Sequence, residues 1–361
     1  MTKETHDQLA RRLELHKSFW NRSGQDYPIA AFRIVPDFFF SRHYEGAAGL
    51  LVPGKKITPG MLDVDSFLPD YERMYAMSEV LGQDAFWVAE PFTGIPWMEA
   101  ILGCEVYAGE ESFISKPWME SLDEVNGIRL DPGNPWFLKY LEFTRKLVEL
   151  SAGRFPVGMP IMRGPSDLVG AIMGQTEMVL ALSDEPERMK EFFNRVTEAF
   201  IGVITAQEAL IPPFHGGSAL GFYHVYCPGN SIWYQEDLSA IMSPALYREF
   251  LAEPERRICS GRDYTAIHLH PASFFMLDEL LAKDDLKAIE VNKDVGGPTI
   301  EEMMPFFRKI QKSKSLIIWG DLNEKDLRMI KRELSPDGLF LNILVSTVEE
   351  AKGLLELVRK D

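Results

Sequence analysis

The chain has 361 residues, of which 46% are hydrophobic and 25% charged, with a formal net charge of −16. Length and apolar content allow one large barrel or two ordinary domains, and the acidity argues against nucleic acid or an anionic membrane as a partner. Three cysteines without CxxC spacing, a polar N-terminus and no stretch near the ~20 apolar residues of a membrane span together predict a cytoplasmic protein without a disulfide framework.

Residues 7–21, with Leu9, Leu13, Leu15 and Phe19 among charges, read as an amphipathic leading helix. Pro28 to Val35 then reads as a buried strand ended by Pro36. Residues 37–83 are rich in Gly and Pro, and the length of the stretch predicts an irregular lid or insertion. Seven more apolar runs have strand character: Asp84 to Glu90, Phe155 to Ile161, Ala219 to Tyr226, Thr265 to His270, Leu286 to Asn292, Ser315 to Gly320 and Leu339 to Val345. Helical periodicity is plain at Glu187 to Ala206, Pro244 to Arg262, Ser273 to Ala282, Ile300 to Lys312, Glu324 to Glu333 and Val348 to Lys360. Eight strands alternating with helices predict an α/β fold, a single (β/α)8 TIM barrel over residues 1–361 with a leading helix and a long insertion after its first strand. A doubly wound open sheet is the alternative, weakened by the lack of a GxGxxG or P-loop after the first strand.

In such a barrel the chemistry gathers at the carboxyl ends of the strands. His268 and His270 end the fifth run, and residues two apart on a strand face the same side, so two imidazoles converge. That pair suits a metal or an acid/base couple. A metal needs at least a third ligand, for which Cys227, His224, Glu236 and Asp321 are the candidates. Without a metal, one histidine is a core residue and the other faces substrate. Glu90 ends an apolar run, where a carboxylate can act as acid or base, bind a cationic group, or simply pair with a buried arginine. Arg33 and Arg163 can clamp a carboxylate or form structural salt bridges; Arg42 and His43 lie in the expected lid. Trp87, Trp97, Phe92 and Phe38 to Phe40 offer an aromatic-lined pocket or ordinary core. Tyr226, Asn292, Asp294 and Asn342 complete the set of strand-end candidates.

Several segments together resemble the uroporphyrinogen decarboxylase superfamily. Met162-Arg163-Gly164-Pro165-Ser166-Asp167-Leu168, then Gly174 and Asp184-Glu185-Pro186-Glu187, resembles its "GPF…G…DxPE" stretch. Ser243-Pro244-Ala245-Leu246-Tyr247-Arg248-Glu249-Phe250 resembles "SPxxYREF". Glu90 to Val106 is similar to its second-strand region, and Gly320-Asp321-Leu322-Asn323 to a Gly-Asn-hydrophobic-Asp turn. The resemblance implies a (β/α)8 barrel, and either cofactor-free decarboxylation or zinc-dependent methyl transfer to or from a corrinoid protein or thiol. The decarboxylases' arginine-rich motif is matched here by Phe32 to Phe39 with a single arginine, and their late histidine falls on Val345. The methyltransferases' His-x-Cys falls on His268-x-His270, and their later cysteine has no counterpart near Ser346.

The resemblance therefore implies a metal-dependent methyltransferase that moves a methyl group from a small donor, such as an aromatic ether, to a corrinoid protein or thiol. Zinc or another divalent ion would sit on His268 and His270 with Glu236 or Cys227. Glu90 would act beside them, and Arg33, Trp97, Arg163, Tyr226 and Asn292 would bind substrate. Homodimerisation is left open. The alternatives are a decarboxylase of a small carboxylate and a non-catalytic ligand-binding barrel.

Overall fold

The computed structural model describes residues 6–34 and 44–360. The expected contributions of Phe38 to Phe40, Arg42 and His43 lie outside the described residues. Among those described, the centre of the fold is a six-stranded, wholly parallel sheet flanked by helices. Its strands are β1 (Ile29–Ile34), β4 (Ser231–Gln235), β5 (Tyr264–Leu269), β6 (Ala288–Asn292), β7 (Ser315–Gly320) and β8 (Leu339–Val345), in the order β1-β8-β7-β6-β5-β4. Two short antiparallel strands, β2 (Ser218–Leu220) and β3 (Val225–Cys227), form a hairpin apart from the sheet. The strands are nearly continuous apolar runs because both faces of a parallel sheet are covered. The middle of β7 is typical: Leu316, Ile317 and Ile318 are all fully buried.

The runs Asp84 to Glu90 and Phe155 to Ile161 follow the same direction with far fewer ladder bonds. Asp84 N–H donates to Ala30 O (3.2 Å), Ala89 and Val157 form a parallel bridge, and Arg163 bridges to Gln235 of β4. In the second run Pro156 and Pro160 cannot donate to a ladder, which limits its pairing.

Two expectations from the sequence change. The run Ala219 to Tyr226 is not a strand of the parallel sheet but the β2–β3 hairpin, broken by a turn at Gly221–His224 in which His224 is left-handed (φ 58°). The parallel strand is the run that follows it, β4. Residues 37–83 are also not irregular throughout. Leu68–Leu81 is a helix, α2, which buries Tyr71, Met74, Tyr75, Ser78 and Leu81 on one face and stops at left-handed Gly82.

The leading helix, α1 (His6–Asn21), closes the amino ends of the strands: Trp20 Nε1 donates to Tyr226 O (2.9 Å), and Ser315 Oγ to Phe19 O (3.0 Å). The hairpin rises from this end. Gly158 and Gly221 pass so closely that a Cβ on Gly158 would sit 2.6 Å from the Gly221 Cα. The tip then meets β8 through Asn342 Nδ2 to Tyr223 O (2.9 Å), β5 through the Tyr223 hydroxyl and His268 Nδ1 (3.0 Å), and β1 through the Arg33 guanidinium, which donates to Phe222 O. The adjacent pair β1 and β8 at one edge of the sheet and β5 near the other thus all reach one turn, so the sheet curls around it. A cavity of about 320 Å³ lies beside the hairpin's root, between Pro156–Met159, β4 and Arg262. No described helix is long and apolar enough to cross a membrane.

Candidate metal centre

Strand register builds the site in two rows. Gln235, His268 and Glu290 are successive neighbours across β4, β5 and β6. Two residues further along each segment lie Asn292 and His270, on the same side by alternation, and Asp237, which opens the short 3-10 helix after β4. His268 and His270 have ring centroids 4.5 Å apart and nearly perpendicular planes. The Asp237 Oδ1 is 3.8 Å from His268 Nε2 and 3.9 Å from His270 Nε2.

Each imidazole is held from behind. Glu290, fully buried, contacts His268 Nδ1, which is also 3.0 Å from the Tyr223 hydroxyl. Asp294 Oδ1 lies 2.7 Å from His270 Nδ1 and accepts from Asn292 Nδ2. Gln235 Nε2 donates to Asp237 Oδ2 (2.9 Å), leaving Oδ1 toward the histidines. An Nδ1–H held by a carboxylate leaves Nε2 with its lone pair outward, the arrangement that orients metal-binding histidines. One donor atom from each of Asp237, His268 and His270 falls within a 4.8 Å span. Ligands of a four-coordinate ion with bonds near 2 Å stand about 3.3 Å apart, so a small contraction would seat one. The three side chains are 38%, 11% and 34% exposed, so one side of the centre stays open. Burial lowers the His268 pKa, but Glu290, Asp237 and Asp294 outweigh it and lift it to about 9, so without a cation the ring is protonated on both nitrogens at neutral pH and a bound cation would displace the Nε2 proton.

The third donor expected from the sequence is displaced by one residue. Glu236 points away: its Oε2 accepts from Ser166 N (2.7 Å) and Oγ (2.5 Å), and burial with Glu255 and Asp167 nearby raises its pKa well above the usual range. The chain leaves β4 at Glu236 (φ −136°, ψ 62°) and enters a short 3-10 helix at Asp237, and this turn puts Asp237 in the place expected of Glu236. Cys227 is also elsewhere, fully buried on β3 with Sγ near Val225 O (3.6 Å) and a thiol pKa raised by burial. Asp321 is exposed at the end of β7.

Of the expected substrate contacts, Asn292 lies at the centre but orients Asp294. Arg163 reaches the same region yet is ion-paired with Glu99 (3.0 Å), with Asp167 and Asp237 also raising its pKa. Trp97 is core: it is fully buried against Trp136, Tyr140 and Phe143, and its Nε1 donates to Phe92 O (2.9 Å). Tyr226 lies at the opposite end of the strands, packed on His16 and Phe214 beneath α1, with its hydroxyl donating to His215 O (3.0 Å). Arg33 and Glu90 flank a separate small pocket beside the hairpin tip. Burial pushes the Glu90 pKa up to about 7 against the opposing pull of Arg33 and of Thr93 Oγ1, which donates to Oε1 (2.7 Å). The Arg33 guanidinium lies 4.7 Å over the Phe222 ring.

Sequence reasoning missed Asp237, Glu290, Tyr223 and Gln235 as parts of the centre. The turn Cys227-Pro228-Gly229-Asn230 before an aromatic, β-branched run was the available signal for β4, and β4 would have placed Asp237 just beyond a strand end.

No family model matches the chain, and no curated protein matches it. Among solved structures, it is similar to a methyltransferase from Methanosarcina mazei, with 15% identity and a TM-score of 0.63 over 96% of each chain. A B12-independent methionine synthase from Shewanella sp. W3-18-1, in complex with selenomethionine, is more distant: 11% identity, a TM-score of 0.48, and 86% of this chain against 91% of that one. The second likeness is too low to carry a conclusion; the first establishes that this chain shares, over nearly its whole length, the fold of a methyltransferase.

Proposed function

We propose that the protein is a metal-dependent methyltransferase, built as one eight-stranded (β/α)8 barrel in which the runs 84–90 and 155–161 complete the ring with the six regular strands. The convergence of His268, His270 and Asp237, with both Nδ1 atoms braced by carboxylates, is the observation that carries this reading. The whole-length likeness to a methyltransferase fold and the sequence resemblance favour methyl transfer over other metal chemistry. A divalent ion held there supplies a Lewis acid for an ether oxygen or a seat for a thiolate. Glu290 and Asp294 fix the ring orientations, Gln235 fixes Asp237, and the exposed side of the triad admits substrate. The methyl acceptor is a thiol or a corrinoid protein docking at this open side. Two imidazoles and a carboxylate suit zinc, and equally iron or manganese.

A decarboxylase is disfavoured by its own requirement for a free cationic clamp: Arg163 is bound to Glu99 and Arg33 to Phe222 O. Elemental analysis of the purified protein beside Asp237→Ala and His268→Ala tests the centre. Stoichiometric metal in the wild type, absent from both variants, is expected. A metal-free wild type unaffected by chelator would sink the proposal and favour a ligand-binding barrel. Methyl transfer is read separately, by demethylation of aryl methyl ethers with a thiol or a reduced corrinoid as acceptor.

A further inference from the structure

The Gly164-Pro165-Ser166-Asp167 motif opens a helix, α3 (Pro165–Met173), and lies against the chain segment that carries Asp237. Hydrogen bonds join the two segments residue by residue. Gly164 N donates to Gln235 O (2.8 Å), and Ser166 N and Oγ donate to Glu236 Oε2. The Asp167 carboxylate accepts from Asp237 N at Oδ2 (3.2 Å) and from Leu238 N at Oδ1 (2.8 Å). The approach is close: a Cβ on Gly164 would sit 2.5 Å from Gln235 O, and one on Gly170 2.2 Å from Leu238 Cδ1. Ser166 and Asp167 are both buried.

The two bonds to Asp167 act on the backbone of one residue. Asp237 N belongs to the peptide plane before the Asp237 Cα, and Leu238 N to the plane after it. Each peptide unit is rigid, so holding both planes fixes φ and ψ of Asp237. Gln235 Nε2 on Asp237 Oδ2 then fixes the side chain. Oδ1 is thus aimed at the histidine pair by two tethers on the main chain and one on the carboxylate. The double acceptance also accounts for an acid at position 167, because an amide there would turn its NH2 toward one of the two N–H groups. Ligand atoms must hold within roughly 0.5 Å of their working positions, and Asp237 sits at a half-exposed turn that needs such fixing.

We propose that Asp167 is a positioning residue for the metal centre: its carboxylate sets the main chain of Asp237 so that Oδ1 meets the ion beside His268 and His270. The assignment rests on the metal-centre reading and extends it to a helix that contributes no ligand. Asp167 does not join the donor set, since both its oxygens are taken by the two N–H groups. A plain cap of the 3-10 helix Asp237–Ile241 is the alternative, and it predicts a loss of stability without a change in metal binding.

Cobalt(II) titration of the chelator-stripped full chain separates the two, read by visible absorption and by competition with a chromophoric chelator. Asp167→Ala should bind cobalt(II) about 10- to 100-fold more weakly than the wild type, and Asp167→Asn, which keeps one acceptor, should lose less. The cobalt(II) spectrum of Asp167→Ala should resemble that of Asp237→Ala, because both lack the third donor. Adding Asp167→Ala to Asp237→Ala should weaken the residual binding on the two histidines by no more than about twofold. Asp167→Asn serves alone if Asp167→Ala does not fold. Folded variants that melt lower yet bind cobalt(II) as tightly as the wild type, or losses that multiply in the double variant, would overturn the assignment and leave the centre standing. A wild type that takes up no cobalt(II) would overturn both.

Discussion

At the scale of single residues, the proposed metal centre depends on groups behind His268 and His270 as much as on the two imidazoles. Glu290 is fully buried, and it braces His268. Replacing it by Gln keeps the shape but removes the charge that holds Nδ1–H, and should weaken metal affinity roughly 10- to 100-fold. Competition with a chromophoric chelator would read that loss. Glu90 carries a separate signature in stability. Its folded pKa of about 7 stands above the ordinary 4.5, so between these values the native state keeps a proton that the unfolded chain has released. Its stabilising contribution is full below pH 4.5 and is lost as pH rises through about 7, a change of roughly 3 kcal/mol. Denaturant unfolding of Glu90→Gln should lack this part of the pH slope. The two histidines were legible from the sequence because alternation along one strand is enough to pair them. Asp237, Glu290 and Tyr223 were not, because each joins the site through register or through a turn, and neither is local in the chain.

At the scale of elements, legibility followed the strength of local signals. Helices Ile300–Gln311, Glu324–Glu333 and Val348–Arg359 match their sequence patterns closely, each opened by a side-chain cap at Thr299, Asn323 or Thr347. Ala219 to Tyr226 misled because a short apolar run reads alike as a sheet strand or a buried hairpin. The hairpin depends on backbone packing that side-chain patterns do not record. A Cβ at Gly221 would lie 2.1 Å from Met159 O, and one at Gly158 would press on Gly221 itself. Gly158→Ala should therefore cost about 1–3 kcal/mol in equilibrium unfolding. It should also loosen Tyr223 from His268, seen as weaker metal retention.

For the whole molecule, the α/β class with a parallel central sheet was readable from alternation of strand and helix, while two of the expected runs turned out only sparsely bridged, one of them interrupted by Pro156 and Pro160. A metal bound to the native state alone stabilises everything coupled to it. At 100 times its dissociation constant the gain is about 2.7 kcal/mol. Calorimetry of protein stripped by chelator should thus show a lower melting temperature, restored by the ion, whereas Asp237→Ala should melt at the same temperature with and without it. The surplus of 54 acidic over 38 basic side chains also implies that an acidic macromolecule would be repelled at long range.

The hairpin places one continuous ten-residue stretch, Ser218 to Cys227, in contact with both the histidine pair and the Arg33–Glu90 pocket. Tyr223 faces one and His224 the other, side by side in sequence. Because the stretch is pinned by Trp20, Asn342 and the Gly158–Gly221 contact, a change at its turn is transmitted to both places at once, and neither can be altered through the hairpin without the other.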